Sequence, residues 1–231
     1  MFCAICSLFG ISRYLFYNLG VKLFYGANKL IRTPIFGLGS PDNDYGLGFY
    51  LTPEESMAAL WASKFEGGGY SIAFDVDMKG LNVLYLDGQD ETSVLRWITI
   101  LVQFRFDKFT LAQYEERIKK LRELYYVDVS AYDVIVGYRA DDSYFKYARD
   151  FLDNTLSIET LGEAMRLGKL GKQIVLKSKK AFERISFLSA EPVAFSDRYE
   201  RFRALTLNQC KALKTTDKDS NTFIREILRG K

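Results

Sequence analysis

The chain has 231 residues, 48% hydrophobic and 26% charged, with 17 Gly and 4 Pro. These proportions exclude a disordered chain, a collagen and a disulfide-stapled mini-protein, and a chain of this length buries about 70% of its unfolded surface around one sizeable core. Lys plus Arg is 32 against 29 Asp plus Glu, and the net charge of +3 carries no global electrostatic footprint for nucleic acid or membrane.

Residues 1–11 are almost wholly apolar. Ser12, Arg13 and Asn18 interrupt the run before it reaches the ~20 apolar residues of a membrane span, and no positive charge precedes it as in a signal peptide. The segment reads as a short packed helix, as an extension outside the domain or, at the margin, as a membrane-touching anchor. No stable membrane insertion is expected, and a cytoplasmic location is. Residues 21–25 read as a short strand ending at Gly26, and the Gly/Pro/Asn/Asp-rich stretch 27–45 as loop. Residues 48–51 form a second short strand. Thr52-Pro53-Glu54-Glu55 then supplies an N-cap, a proline at the first helical position and a capping-box glutamate. Met57, Leu60, Trp61 and Phe65 follow at helical spacing, and Gly67 to Gly69 end that helix.

Strands are expected at 70–76 and 81–86, and helices at 91–103 and 111–125. Residues 133–138 have the pattern of a buried strand, after which Asp141 or Asp142 caps a helix that turns Phe145, Ala148, Phe151 and Leu152 inward. Ser157 caps another helix that ends near Leu167, with Gly168 and Gly171 beyond it. Strands follow at 173–177 and 184–188, and the tail from Ser196 is charged and helical in pattern. Strands and helices mix without strict alternation, which argues an α+β fold rather than a doubly wound sheet.

Histidine is absent, so there is no Ser-His-Asp triad, no Cys-His pair and no histidine general base. A zinc site would need cysteines alone, and Cys3, Cys6 and Cys210 are one short of four, so no metal is expected. Cys3 and Cys6 have a C-x-x-C spacing but lie in the terminal apolar run, not after a strand, and the odd count fits a reducing compartment. The 15 Tyr and 18 Phe suit a core, and the tyrosines also suit stacking on a flat ligand.

Gly46-Leu47-Gly48 lacks the third glycine and the preceding strand of a dinucleotide or phosphate loop, and alone it reads as a tight turn. The longer segment Asn43-Asp44-Tyr45-Gly46-Leu47-Gly48-Phe49-Tyr50-Leu51-Thr52 resembles the second motif of the ADP-ribosyltransferase superfamily. Upstream, Leu23-Phe24-Tyr25-Gly26-Ala27 lies where the first motif, a strand ending in aromatic-His-Gly-Ser/Thr, is expected. Tyr25 stands in the place of the histidine and Ala27 in that of the Ser/Thr. Gln173-Ile174-Val175-Leu176 matches the third motif with Gln for the catalytic Glu. The resemblance is closer to one subgroup of that superfamily, small bacterial proteins of a domain-of-unknown-function family often encoded in toxin–antitoxin-like settings. That similarity is carried by 43–50, 134–145 and 167–182 and runs from about Leu23 to the end of the chain.

The resemblance implies an ADP-ribosyltransferase-like split β-sheet core with surrounding helices. It divides the chain into an apolar extension at 1–20, the domain at 21–190 and a C-terminal helical extension of that domain at 191–231. It implies NAD as substrate, with Tyr50 stacked on nicotinamide, Gly26 offering backbone hydrogen bonds to its amide, Gln173 on the ribose 2′-hydroxyl, and Tyr25, Gly46 and Gly48 beside them. The acceptor would be a protein or nucleic acid, and an antitoxin-like protein a further partner. The resemblance leaves open a catalytically silent domain kept for binding.

Residues 137–144 are informative without it. A buried strand ends in Arg139 and two adjacent acids at the start of a helix, and such strand-end loops are where sites are built. One reading is a helix cap with a surface ion pair. The other puts Arg139 on a pyrophosphate or an acceptor, because guanidinium matches phosphate as a bidentate fork, with Asp141 or Asp142 activating the acceptor. The basic stretch 177–180 reads as a solvated face.

Overall fold

The structure is a computed structural model that describes residues 20–88, 90–105, 112–140, 142–167, 171–213 and 222–230; the side chains of 112, 142–144, 166, 167, 206, 207 and 209–213 fall outside the description. Its elements run β1 (Gly20–Ala27), β2 (Phe49–Leu51), α1 (Glu55–Ala62), β3 (Gly69–Asp77), β4 (Val83–Tyr85), α2 (Glu91–Phe104), α3 (Glu115–Tyr125), β5 (Val134–Tyr138), α4 (Asp142–Leu152), α5 (Ile158–Leu167), β6 (Lys172–Leu176), α6 (Lys179–Phe182), β7 (Ile185–Val193), α7 (Arg198–Leu213) and α8 (Ile224–Ile227). The fold is α+β, as the mixed order of elements predicts.

The strands form two sheets. One is antiparallel, in the order β1-β3-β7; the other has the order β2-β6-β5-β4, with β4 and β5 parallel. Strand alternation decides which core each side chain joins. In β6, Ile174 and Leu176 enter the core between the sheets with Leu23, Phe74 and Val136. Val175 points the other way, into a core shared with Trp97, Ile98, Phe151 and Leu161 of the helices. Each of these fully buried side chains contributes about 1.5–3 kcal/mol. Helix α1 covers the outer face of the three-stranded sheet, where Ala58 meets Phe24 and Ala73. The sheets touch at one corner, where Phe24 and Thr52 form an isolated bridge.

The Thr52 hydroxyl oxygen accepts from the Glu54 amide at 3.2 Å, but the helix starts later than expected. Thr52 spends its backbone on Phe24, and α1 starts only at Glu55, with Glu54 as a cap whose side chain makes no capping bond. The helix also ends at Ala62, before Phe65, and its buried residues are the small Ala58 and Ala62. Met57 and Trp61 lie on the wall of a cleft instead. The strand expected at 81–86 shortens to β4, whereas β7 extends to Val193. The helix expected at 111–125 opens with a 3-10 turn at Ala112–Tyr114. Ser157 does cap α5, accepting from the Thr160 amide at 3.1 Å. The cap of α4 at Asp141 lies outside the described residues, as do residues 1–19 with Cys3 and Cys6. Among the described residues no helix is long and apolar enough to cross a membrane.

Candidate functional site

A cleft of about 690 Å³ lies where β1, β2, α1, α7, the end of β5 and the start of β6 converge. Its size falls within the range of small-molecule sites. Tyr25, Gly26, Gly48, Tyr50, Arg139 and Gln173, drawn from four separate stretches of sequence, all line it. Gly46 does not; it acts one step back, through Tyr50. Helix α4 begins at Asp142, but that side chain lies outside the description.

The 43–50 segment is locked to the four-stranded sheet by polar contacts along its length. Asp44 is buried and accepts from the Ala140 amide at 2.9 Å, with Arg105 3.7 Å away. Tyr45 is buried and donates to the Tyr138 carbonyl at 2.5 Å, an oxygen that also accepts from the Trp97 indole. The Gly46 amide closes a turn onto the Asn43 carbonyl at 2.8 Å, with a φ of 73° that suits glycine. Lys177 donates to the carbonyls of Tyr45 and Leu47, both at 2.6 Å. Burial pushes its ammonium down to about 8, while the two carbonyls favour its charge. The expected solvated face therefore begins only after Lys177, because that side chain is spent holding the turn.

The turn in turn fixes Tyr50. Its hydroxyl donates to the Gly46 carbonyl at 2.5 Å and accepts from the Tyr45 amide at 3.1 Å. Burial raises its pKa well above the ordinary phenol value. The hydroxyl is thus engaged by the protein, and the half-buried ring, stacked against Tyr45 at 6.5 Å, is what Tyr50 offers the cleft.

Two backbone features set the opposite strands. Phe24 exchanges both its backbone hydrogen bonds with Thr52, at 2.8 and 2.9 Å, on the edge of β1 away from β3. The period of the strand turns the N–H and C=O of Gly26 to that same open edge. A Cβ on Gly26 would collide with the Ala58 carbonyl and come within 3.0 Å of the Trp61 Cβ, so glycine allows α1 this close. Tyr25 packs its ring on Phe49 at 4.6 Å, and burial raises its pKa. Gln173 pairs with Gly137 across the ladder, on the same face as Val175, the partner of Tyr50. Its Oε1 is buried and has no hydrogen-bond partner among the described residues.

Several lining residues escaped the sequence reading. Lys64 lies 3.4 Å over the Trp61 ring and the Arg139 guanidinium 3.5 Å over the same ring. Tyr199 meets Trp61 edge-on at 5.1 Å, and Glu200 and Arg203 stand beside it on α7. Lys172, next to Gln173, is paired with Asp87 at 2.7 Å. Among the described residues no group of three or more His, Cys, Asp or Glu could hold a metal ion.

The sequence profile of a family described as "Protein of unknown function (DUF3990)" matches residues 21–187. The chain belongs to this family. Comparison with curated proteins and with solved structures finds no significant match. The family segment spans both sheets up to Phe187 within β7. Helix α7, which brings Tyr199, Glu200 and Arg203 to the cleft, lies beyond it.

Proposed function

We propose that this DUF3990 protein cleaves the nicotinamide–ribose bond of NAD, as a mono-ADP-ribosyltransferase or an NAD glycohydrolase with an ADP-ribosyltransferase-like core. One observation carries the reading. Gln173 keeps a buried acceptor oxygen without a partner among the described residues, in the cleft that Tyr50 and Gly26 also line. An unmet buried acceptor costs about 1–3 kcal/mol, which a ribose hydroxyl donating to it recovers. The fixed ring of Tyr50 suits a flat nicotinamide, and the open-edge N–H and C=O of Gly26 match the two polar atoms of its amide.

In the reaction nicotinamide leaves with the electron pair of the glycosidic bond and becomes neutral, while positive charge develops on the ribose. The nucleophile, a group of the acceptor or water, forms the new bond at that carbon and gives up its proton. Gln173 orients the ribose and cannot take that proton, because an amide does not titrate in the useful range. The nucleophile is therefore reactive in itself or is activated by a carboxylate base such as that of Asp142 or Asp141, which takes its proton.

A second reading, a silent domain of the same fold that binds a protein partner such as an antitoxin, is favoured by the Tyr25 ring packed on Phe49 where the superfamily keeps a histidine. Incubation of the full chain with NAD labelled in its ADP-ribose half, with and without bacterial lysate, separates the readings. Label on macromolecules indicates transfer. Free labelled ADP-ribose with equimolar nicotinamide indicates hydrolysis. Neither product, together with no saturable NAD binding, leaves the binding module.

A further inference from the structure

Lys64 and Lys177 separate burial from availability. Both ammonium groups are pushed down to about 8, in each case by burial first. Lys177 engages its amine with the Tyr45 and Leu47 carbonyls. Lys64 is half-buried on the cleft wall just past the end of α1, and it meets rings instead. Its Nζ lies 3.4 Å over Trp61, 5.3 Å over Phe65 and 5.4 Å over Tyr199. Among the described residues it makes no hydrogen bond and no ion pair. The charged groups that face it come from other elements: Arg139 beyond β5 and Arg203 on α7 disfavour its charge, and Glu200 on α7 favours it. Both arginines have partners, Arg203 with Glu200 at 3.7 Å and Arg139 over the Trp61 ring at 3.5 Å, so the reactive group of this wall is the Lys64 amine. An amine desolvated among rings and beside other cations is an activated nucleophile.

We propose that the Lys64 amine is a covalent site of the cleft that condenses with an aldehyde, forming a protonated imine over the Trp61 ring. The nitrogen lone pair forms a bond to the carbonyl carbon, and the carbonyl oxygen takes a proton from the nitrogen. With a second proton from solvent that oxygen leaves as water, and the carbon–nitrogen double bond remains with one positive charge. No oxidant or reductant is needed. The charge takes the place of the ammonium over the π face of Trp61, and Glu200 favours it as it favours the ammonium. The aldehyde is either a small free one or the open-chain ribose end of ADP-ribose, and only the second source rests on the NAD reading, as the product of hydrolysis.

The test incubates the full chain with glycolaldehyde or with ADP-ribose, each with cyanoborohydride, whose hydride reduces the imine to a stable secondary amine, and maps the added mass by peptide. At pH 7.5 about a quarter of groups titrating near 8 are free amine, against about a thousandth for an ordinary lysine. Lower basicity offsets part of that gain, so Lys64 is expected to take label roughly tenfold or more faster than the exposed Lys179 or the clasped Lys177. Lys64→Arg keeps the positive charge and should lose the fast label. Glycolaldehyde labelling of Lys64 no faster than of Lys179, or equal labelling of Lys64 and Lys177, overturns the site, and this comparison within one chain needs no variant. Fast labelling by glycolaldehyde with none by ADP-ribose supports the amine site and removes ADP-ribose as its aldehyde. Nicotinamide release from NAD is measured separately, so a failure of the label and a failure of the NAD reading are told apart.

Discussion

Gln173, the second residue of β6, has its amide oxygen buried and unmatched among the described residues, so the side chain contributes little to stability and much to any ligand that donates to it. Gln173→Ala should therefore leave the unfolding free energy in urea within about 1 kcal/mol of wild type and abolish nicotinamide release. Gln173→Glu should keep or increase hydrolysis, since it sets an anion beside the developing positive charge. An alanine variant that releases nicotinamide at the wild-type rate would take Gln173 out of the reaction. Tyr25 gives a second test at this scale. Its phenol is packed on Phe49 and its pKa is raised by burial, so it is a poor substitute for an imidazole. Tyr25→His should tighten NAD binding by about 1 kcal/mol, roughly fivefold, for one regained hydrogen bond. If calorimetry finds wild type and variant equally unable to bind, the binding-module reading gains.

The 43–50 loop and β6 work as one unit, because Lys177 clasps two carbonyls of the turn that holds Tyr50. Lys177→Met should destabilise the fold by about 1 kcal/mol, the two lost donors being partly offset by the removal of a desolvated charge. It should also weaken NAD binding, because the Tyr50 ring loses its fixed seat. Unchanged NAD affinity in a folded Lys177→Met chain would show that the seat does not depend on the clasp. Elements with strong local signals were legible: the apolar run of β5, the alternation of β6 and the Ser157 cap all follow from neighbours in sequence. What tertiary pairing decides was not. Thr52 has every local mark of a cap, yet its backbone belongs to the Phe24 bridge. Lys177 sits in a basic run that reads as surface, and only the packing of a loop 130 residues earlier in the chain turns it inward. The α7 wall carried no local sign, because Tyr199 and Arg203 acquire meaning only beside Trp61 and Lys64. The residues of the cleft that were legible came through long motifs, and those motifs are also where the loop, β5 and β6 are fastened together.

At the scale of the whole molecule the absence of histidine and the burial of lysines and tyrosines shape stability against pH. With no imidazole to titrate, the curve should be flat between about pH 5 and 7.5. Below that window Asp90 and Asp133, whose hydrogen bonds hold them under the ordinary carboxylate value, lose stabilisation as they protonate. Above it Lys64 and Lys177 add a second interval of the same sign. Both sit at about 8 in the folded chain against 10.5 when unfolded, so between those values the unfolded state holds protons that the folded state has shed. Stability therefore rises with pH through that interval. The rise stops near pH 10, where tyrosines of the unfolded chain ionise at their ordinary value while Tyr25, Tyr45 and Tyr50 remain protonated in the fold. From there the unfolded state binds fewer protons and stability falls. Urea midpoints measured from pH 4 to 11 should show a plateau, a rise above pH 8 and a decline beyond about pH 10. The double variant Lys64→Met, Lys177→Met should keep the plateau and the decline and lose the rise. A rise that survives in that variant would mean that neither ammonium is desolvated as the cleft and the clasp require.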